Sequence, residues 1–251
     1  MTKLLNKIAG VFSLRLEPLE KSLPPDLMGD KEFMEVFTAC KPYTMTSPER
    51  LYSLCQSMRY IAANSIPGDV AECGVWKGGS SMFIALMAIR LGIQDRQLWL
   101  YDTFEGMSEP GEEDKDHSGV SAKQQLDKAD RNVSESVWCY SSLDEVKANM
   151  ARTGYDPSRL HFIQGKVEDS IPATMPDALA LLRLDTDWYA STYHELIHLY
   201  PLLNGGGVLI IDDFGHWEGA KKAVLQYFSE RNMKPLLHRI DETGRILIKD
   251  H

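Results

Sequence analysis

Cysteine is scarce in this chain: four residues in 251, namely Cys40, Cys55, Cys73 and Cys139, with no C-x-x-C spacing among them. So few thiols exclude a disulfide scaffold, and they read as buried or free groups in a reducing, cytoplasmic setting. Positive charge is also short. Lysine and arginine number 27 against 36 aspartates and glutamates, a formal net charge of -9. That balance argues against nucleic acid or an anionic membrane as partner, because both reward surplus cations. Long apolar runs are missing, and nothing approaches the roughly 20 residues that span a bilayer. Lys3 and Lys7 flank the start of a short apolar stretch, Ile8-Ala9-Gly10-Val11-Phe12, that ends quickly at Arg15. It is too brief for a secretory core. Internal repeats and low-complexity tracts are absent as well.

What remains is ordinary globular material, 43% hydrophobic and 25% charged. A chain of this length suits one large α/β domain or two small ones, and it should bury roughly 70–75% of its unfolded surface. Residues 1–25 end in Leu23-Pro24-Pro25 and read as a peripheral arm. From 26 to 63 the periodicity is helical. Leu51, Leu54, Cys55, Met58 and Ala62 recur on one face after the start signal Ser47-Pro48-Glu49. We therefore expect an N-terminal arm and helical cap over 1–66 and a main domain over 67–251.

Downstream of Pro67-Gly68, short apolar runs at 70–75, 97–103, 160–164, 178–184 and 207–211 alternate with helical patterns at 80–91, 142–152, 191–203 and 217–230. Such alternation predicts a parallel sheet with helices on both faces. Two late strands, 235–240 and 245–249, flank Asp241-Glu242-Thr243-Gly244 and predict a closing hairpin. The stretch 104–135 breaks the rhythm. It is long and charged and follows a strand's carboxyl end, which predicts a lid.

The chemistry gathers at strand ends. The first strand runs Asp69-Val70-Ala71-Glu72-Cys73-Gly74-Val75-Trp76-Lys77-Gly78-Gly79-Ser80-Ser81 into a helix start, a cradle for a ligand approached by backbone. The dinucleotide G-x-G-x-x-G is not satisfied. The acidic-x-Gly-x-x-x-Gly pattern resembles instead the first motif of class I S-adenosylmethionine-dependent methyltransferases, where a glutamate can hold the ammonium of a bound amino acid. The second strand ends in Tyr101-Asp102-Thr103-Phe104, which sets Asp102 to accept ribose hydroxyls. The later strands end in Leu184-Asp185-Thr186-Asp187-Trp188 and Ile211-Asp212-Asp213-Phe214. Adjacent parallel strands would bring Asp185, Asp212 and Asp213 together, and three converging carboxylates call for a cation, Mg²⁺ by their hard oxygens.

Taken together, Tyr43-Thr44-Met45, Val70–Val75, Tyr101–Met107, Leu184–Asp187 and Ile211–Asp213 resemble the macrocin O-methyltransferase (TylF/MycF-type) family from about Lys41 onward. The resemblance implies a class I, Rossmann-like methyltransferase fold. It also implies methylation of a sugar hydroxyl on a macrolide-like natural product, S-adenosylmethionine as donor, and a homodimer or higher homo-oligomer. By the same resemblance Mg²⁺ would sit on Asp185, Asp212 and Asp213. The cofactor would contact Thr44, Met45, Glu72, Gly74, Ser81, Asp102, Thr103, Phe104, Val167, Glu168 and Asp185. Related metal-dependent enzymes, including catechol O-methyltransferase, carry a basic lysine three positions after the first metal aspartate. Trp188 stands there, so the proton acceptor falls to Asp187, Asp185 or His216, with Asp187 favoured for its place beside Asp185. A non-sugar diol or catechol acceptor, or a non-catalytic S-adenosylmethionine binder, are the alternatives within this site.

One motif competes. His194-Glu195-Leu196-Ile197-His198 is a literal H-E-x-x-H, the zinc-metalloprotease pattern, with Glu218 as a distant third ligand. Its helix argues otherwise. Tyr193, Leu196, Ile197, Tyr200 and Leu203 would cover the sheet and turn both histidines outward. Trp76, Trp188 and Trp217 stand beside the strand-end motifs, where they would either stack on an acceptor or pack the wall.

Overall fold

The computed structural model describes residues 23–250 except 132, 134 and 135. The expected arm up to residue 22, with its apolar stretch, and three positions near the end of the expected lid lie outside the described residues.

The helical N-terminal segment comes as three helices: α1 (Pro25–Gly29), α2 (Lys31–Cys40) and α3 (Pro48–Ala63). Asp30 breaks the first from the second and caps α2 by accepting the Phe33 amide at 3.0 Å. Pro42, which has no N–H to give, ends α2 in a single tight turn. Ser47 then accepts the Arg50 amide at 3.1 Å with Pro48 in the first helical position, the start signal expected from the sequence.

Next come β1 (Asp69–Cys73), α4 (Gly79–Arg90), β2 (Leu98–Asp102), α5 (Ala122–Lys128), α6 (Leu143–Ala151), β3 (Leu160–Gln164) and α7 (Val167–Ser170). The chain finishes with β4 (Leu179–Leu184), α8 (Tyr189–His198), β5 (Leu203–Ile211), α9 (Glu218–Glu230), β6 (His238–Arg239) and β7 (Arg245–Ile248). Two boundaries differ from expectation by four residues or more within the parallel part of the fold. Pro201 stops α8 at His198 rather than 203, and β5 starts four residues early. The hairpin is present, but its first strand is only two residues long. No helix among the described residues is long and apolar enough to cross a membrane.

The seven strands lie in the order β3-β2-β1-β4-β5-β7-β6, parallel from β3 to β5 and antiparallel beyond. Strand alternation sends Val70, Leu100, Leu181 and Ile210 to one face, under α2, α3 and α4. It sends Cys73, Leu182, Leu184 and Ile211 to the other, under α8 and α9. The chain leaves β1 toward β2 on one side and returns as β4 on the other. Connections therefore diverge between β1 and β4 and open a crevice at their carboxyl ends.

Two glycines make the crevice possible. A Cβ on Gly74 would collide with the backbone carbonyl of Asp185, and one on Gly79 with the backbone of Tyr43. The tips of β1 and β4 thus touch through bare backbone, with the Asp185 amide donating to the Cys73 carbonyl at 2.8 Å.

Among its described residues, the stretch expected as a lid packs against the rest of the chain. It contains α5, where the sequence suggested only loop, and it caps two helices that cannot cap themselves. Trp188 and Trp217, at the cap positions of α8 and α9, offer no side-chain acceptor. Lid residue Asp114, buried, accepts the first amide of α8 (Tyr189, 2.8 Å) and the Gly111 amide (2.7 Å). The Lys115 carbonyl accepts the first amide of α9 (Glu218, 2.9 Å). Such caps are worth about 1 kcal/mol, and more when the orphaned amide is buried. Asp114→Ala should therefore cost about 1–3 kcal/mol and speed proteolysis between residues 105 and 131. Asp114→Asn, which keeps one acceptor, should fall between. Thermal melts and timed digestion of both variants check this.

Candidate active site

A cavity of about 460 Å³ fills the crevice. The loop before α3, the glycine turn after β1, the ends of β2, β4 and β5, and the lid all contribute to its wall.

At its floor lies Arg183, a charged residue in a strand that otherwise reads Leu-Ala-Leu-Leu-x-Leu. The side chain is 2% exposed and holds three acids: Glu72 at 2.6 Å, Asp185 at 2.7 Å and Asp212 at 2.7 Å. It also donates to the Thr46 hydroxyl at 3.0 Å. Register explains the convergence, because Glu72 pairs with Arg183 across β1 and β4 and so shares its face. From the other side Arg50 pairs with Asp212 and with Asp241 at 3.0 Å, tying the start of α3 to the turn of the C-terminal hairpin.

Asp185, Asp212 and Asp213 present oxygens all within 4.8 Å of one another. With Glu72 and Asp187 they make five carboxyl groups against two guanidinium groups. Burial foremost, and mutual repulsion after it, push the acids upward. Glu72 and Asp187 reach about 7, Asp185 and Asp212 about 6, and Asp213 rises well above its ordinary range. One buried Asp213 oxygen finds no hydrogen-bond partner. An orphaned carboxylate oxygen beside two more hard oxygens, in a pocket with surplus negative charge, fits a divalent cation.

Asp187 occupies an unusual backbone position. Its φ is +66° and the Trp188 amide donates to the Thr186 carbonyl at 2.7 Å, closing a γ-turn around it. A left-handed aspartate in so tight a turn stores about 1–3 kcal/mol of strain, found where geometry serves a site.

The expected cofactor residues divide. Thr44, Met45, Gly74, Asp102, Thr103, Val167, Glu168 and Asp185 line the cavity. Glu72, Ser81 and Phe104 are buried without reaching the wall, and Ser81 donates to Glu72. Asp102 is already engaged: one oxygen accepts the Val75 and Trp76 amides at 2.7 and 3.0 Å, the other the Phe104 amide at 2.7 Å. It pins the glycine turn as well as facing the cavity. His216 stands in the wall with its pKa lowered, chiefly by burial and then by nearby His117. Trp188 and Trp217 pack edge to face at 5.0 Å as buried wall, the Trp188 indole donating to the Ser108 carbonyl at 3.1 Å. Trp217 and Trp76 also border the cavity.

The H-E-x-x-H motif splits across its helix. His194 bonds the Ile171 carbonyl at 3.0 Å near His198, whereas Glu195 is buried on the opposite side beneath the Asp185–Asp187 turn. Among the described residues these three form no metal-holding cluster. Reading the sequence does not single out Arg50, Arg183 or Asp114, and it names Glu195 only within the H-E-x-x-H pattern. Arg183 and Glu195 left one signal each, a charge amid residues bound for the core.

Comparison with known proteins shows the family. Residues 37–249 match the model of the macrocin-O-methyltransferase (TylF) family. The 8-demethyl-8-(2,3-dimethoxy-alpha-L-rhamnosyl)-tetracenomycin-C 4'-O-methyltransferase of Streptomyces olivaceus is 34% identical over 202 residues, 80% of this chain and 74% of the relative. Mycinamicin III 3''-O-methyltransferase of Micromonospora griseorubida is 32% identical over 202 residues, 80% and 76%. The O-methyltransferase NovP superposes with a TM-score of 0.73 at 29% identity over 83% of each chain. A calicheamicin methyltransferase, CalS11, matches at 0.62 and 17% identity over 98% of this chain and 90% of its own, a likeness of fold alone. The architecture is that of class I, Rossmann-like O-methyltransferases, and the chain belongs to the macrocin-O-methyltransferase (TylF) family.

Proposed function

We propose that this chain transfers a methyl group from S-adenosylmethionine to a sugar hydroxyl of a glycosylated natural product, assisted by a divalent cation such as Mg²⁺. One observation carries the reading: the glycine turn after β1 and the three-aspartate cluster line the same cavity. The named relatives, which methylate a rhamnosyl tetracenomycin and mycinamicin III, support it.

A sugar hydroxyl is a poor nucleophile because almost none is ionised near neutral pH. A cation on Asp185, Asp212 and Asp213 would supply Lewis acidity that lowers that pKa. The chain's own residues do the rest. Arg183 and Arg50 fix Asp185 and Asp212 so that their oxygens converge before any ligand arrives. Asp187, held by its γ-turn at the cavity wall, accepts the hydroxyl proton on its carboxylate. Trp188, where related enzymes place a lysine, leaves no ammonium to compete for that task. The lid and the buried Trp188–Trp217 pair keep water from the far side of the wall.

Two measurements test the reading. Mass spectrometry of a panel of glycosides incubated with S-adenosylmethionine should show methylated product, lost with a chelator and restored by Mg²⁺. Full transfer in excess chelator would remove the metal from the account, and cofactor binding without transfer to any glycoside would favour a non-catalytic binder. Asp187→Asn should lower kcat about 10²–10⁴-fold, the usual worth of a positioned proton acceptor, while S-adenosylhomocysteine still binds in calorimetry. An unchanged kcat would move the role to His216.

A further inference from the structure

Glu195 is the acid of α8 that faces inward, fully buried at 0% exposure. Both of its carboxyl oxygens lie within reach of the Thr186 hydroxyl, at 2.9 and 3.1 Å, and Thr186 donates. Burial first, and the nearby Glu195 carboxyl after it, push the Cys73 thiol at the tip of β1 upward. One side chain therefore lies near the last residue of β1, next to Gly74, and bonds the residue between Asp185 and Asp187. These are the two strand tips that meet at the crevice.

The turn it touches is under tension. Thr186 precedes the left-handed Asp187, and its carbonyl closes the γ-turn with the Trp188 amide. Ser191 also donates to the Thr186 carbonyl, at 3.3 Å, from the first turns of α8. Strained turns persist only where their surroundings over-determine them. Thr186 is fastened at its side chain by Glu195 and at its carbonyl by the Trp188 amide, with the Ser191 hydroxyl shared between the Thr186 and Trp188 carbonyls, so the peptides on either side have few other conformations.

We propose that Glu195 is a positioning residue, which by receiving the Thr186 hydroxyl sets the turn that aims Asp185 and Asp187 into the cavity. The proposal rests on the reading of that cavity as a methyl-transfer site. Its buried carboxyl, raised well above the ordinary range by desolvation, fits a hydrogen-bonding rather than a charged role.

The test compares three single variants and one double in the full chain. Glu195→Leu keeps the volume and removes the acceptor, Glu195→Gln keeps an acceptor, and Thr186→Val removes the donor without changing shape. Support from outer hydrogen bonds is typically worth about 10–100-fold, so Glu195→Leu and Thr186→Val should each lower kcat by that much with KM for S-adenosylmethionine nearly unchanged. Mn²⁺ titration without substrate should show about tenfold weaker binding in the same two variants. Glu195→Gln should recover most of both losses. The double variant Glu195→Leu/Thr186→Val should be no worse than either single, because both remove one bond.

A folded Glu195→Leu protein with wild-type kcat and Mn²⁺ affinity overturns the proposal, as do losses that multiply in the double variant or that Glu195→Gln fails to recover. If Glu195→Leu does not fold, Thr186→Val decides by the same readouts. If the wild-type chain moves no methyl group at all, the proposed activity fails while the Mn²⁺ titration still judges Glu195.

Discussion

A single guanidinium in the middle of a buried strand organises this molecule. Arg183 is nearly inaccessible, and a charge so placed is costly by several kcal/mol unless it is fully paired. Here the pairing is threefold, with Glu72, Asp185 and Asp212 converging on one fork. Pairs of this kind add little net stability compared with apolar packing, but they fix geometry strongly. That is their use in this fold. Glu72 belongs to the strand that leads into the glycine turn, and Asp185 and Asp212 end the two strands that carry the acidic cluster. Arg183 therefore ties the glycine-turn side of the crevice to the three-aspartate side, at the point where the sheet reverses its order.

The same economy governs the periphery. The α8 and α9 helices begin with tryptophans at their cap positions, and both rings pack inward as wall. Their unpaired amides are met by the lid, through Asp114 and the Lys115 carbonyl. A segment that covers the site thereby also completes two helices behind it. Order in the lid and order in the α8–α9 layer are linked through these bonds, so a change that frees the lid also frays the helices supporting the Asp185–Asp187 and Asp212–Asp213 turns.

Much of the fold was legible in the sequence because apolar runs of strand length alternated with helical stripes, and a parallel sheet is the common solution to that pattern. The strand-end aspartates were legible for the same reason: once strands are placed in parallel, their carboxyl ends must share an edge. Boundaries set by single residues were harder. Pro42 and Pro201 cut helices that periodicity alone would have continued, and β6 shrank to two residues. The roles of Arg183 and Glu195 stayed hidden for a physical reason, since both lie where apolar residues are expected, two of Arg183's three acids are 29 and 111 residues away, and Glu195's hydroxyl partner is nine residues away. Nothing local announces that a buried charge has company. Only register across β1 and β4, or the rotation of α8 over the sheet, brings donor and acceptor together.

Glu195 shows why a short motif is a poor guide without the face it lies on. In H-E-x-x-H the two histidines fall one turn apart and the glutamate is their neighbour in sequence. On a helix, however, residue i+1 is rotated about 100° from residue i, and the packing of α8 decides which of them meets solvent. Here His194 and His198 are turned away from the crevice and Glu195 is buried beneath the Asp185–Asp187 turn, where it receives the Thr186 hydroxyl. The five-residue pattern is thus two unrelated features interleaved. Burial pushes all the acids of this region upward, and their partners grade the rise: guanidinium groups offset it at Asp185 and Asp212, whereas Glu195 has a hydroxyl.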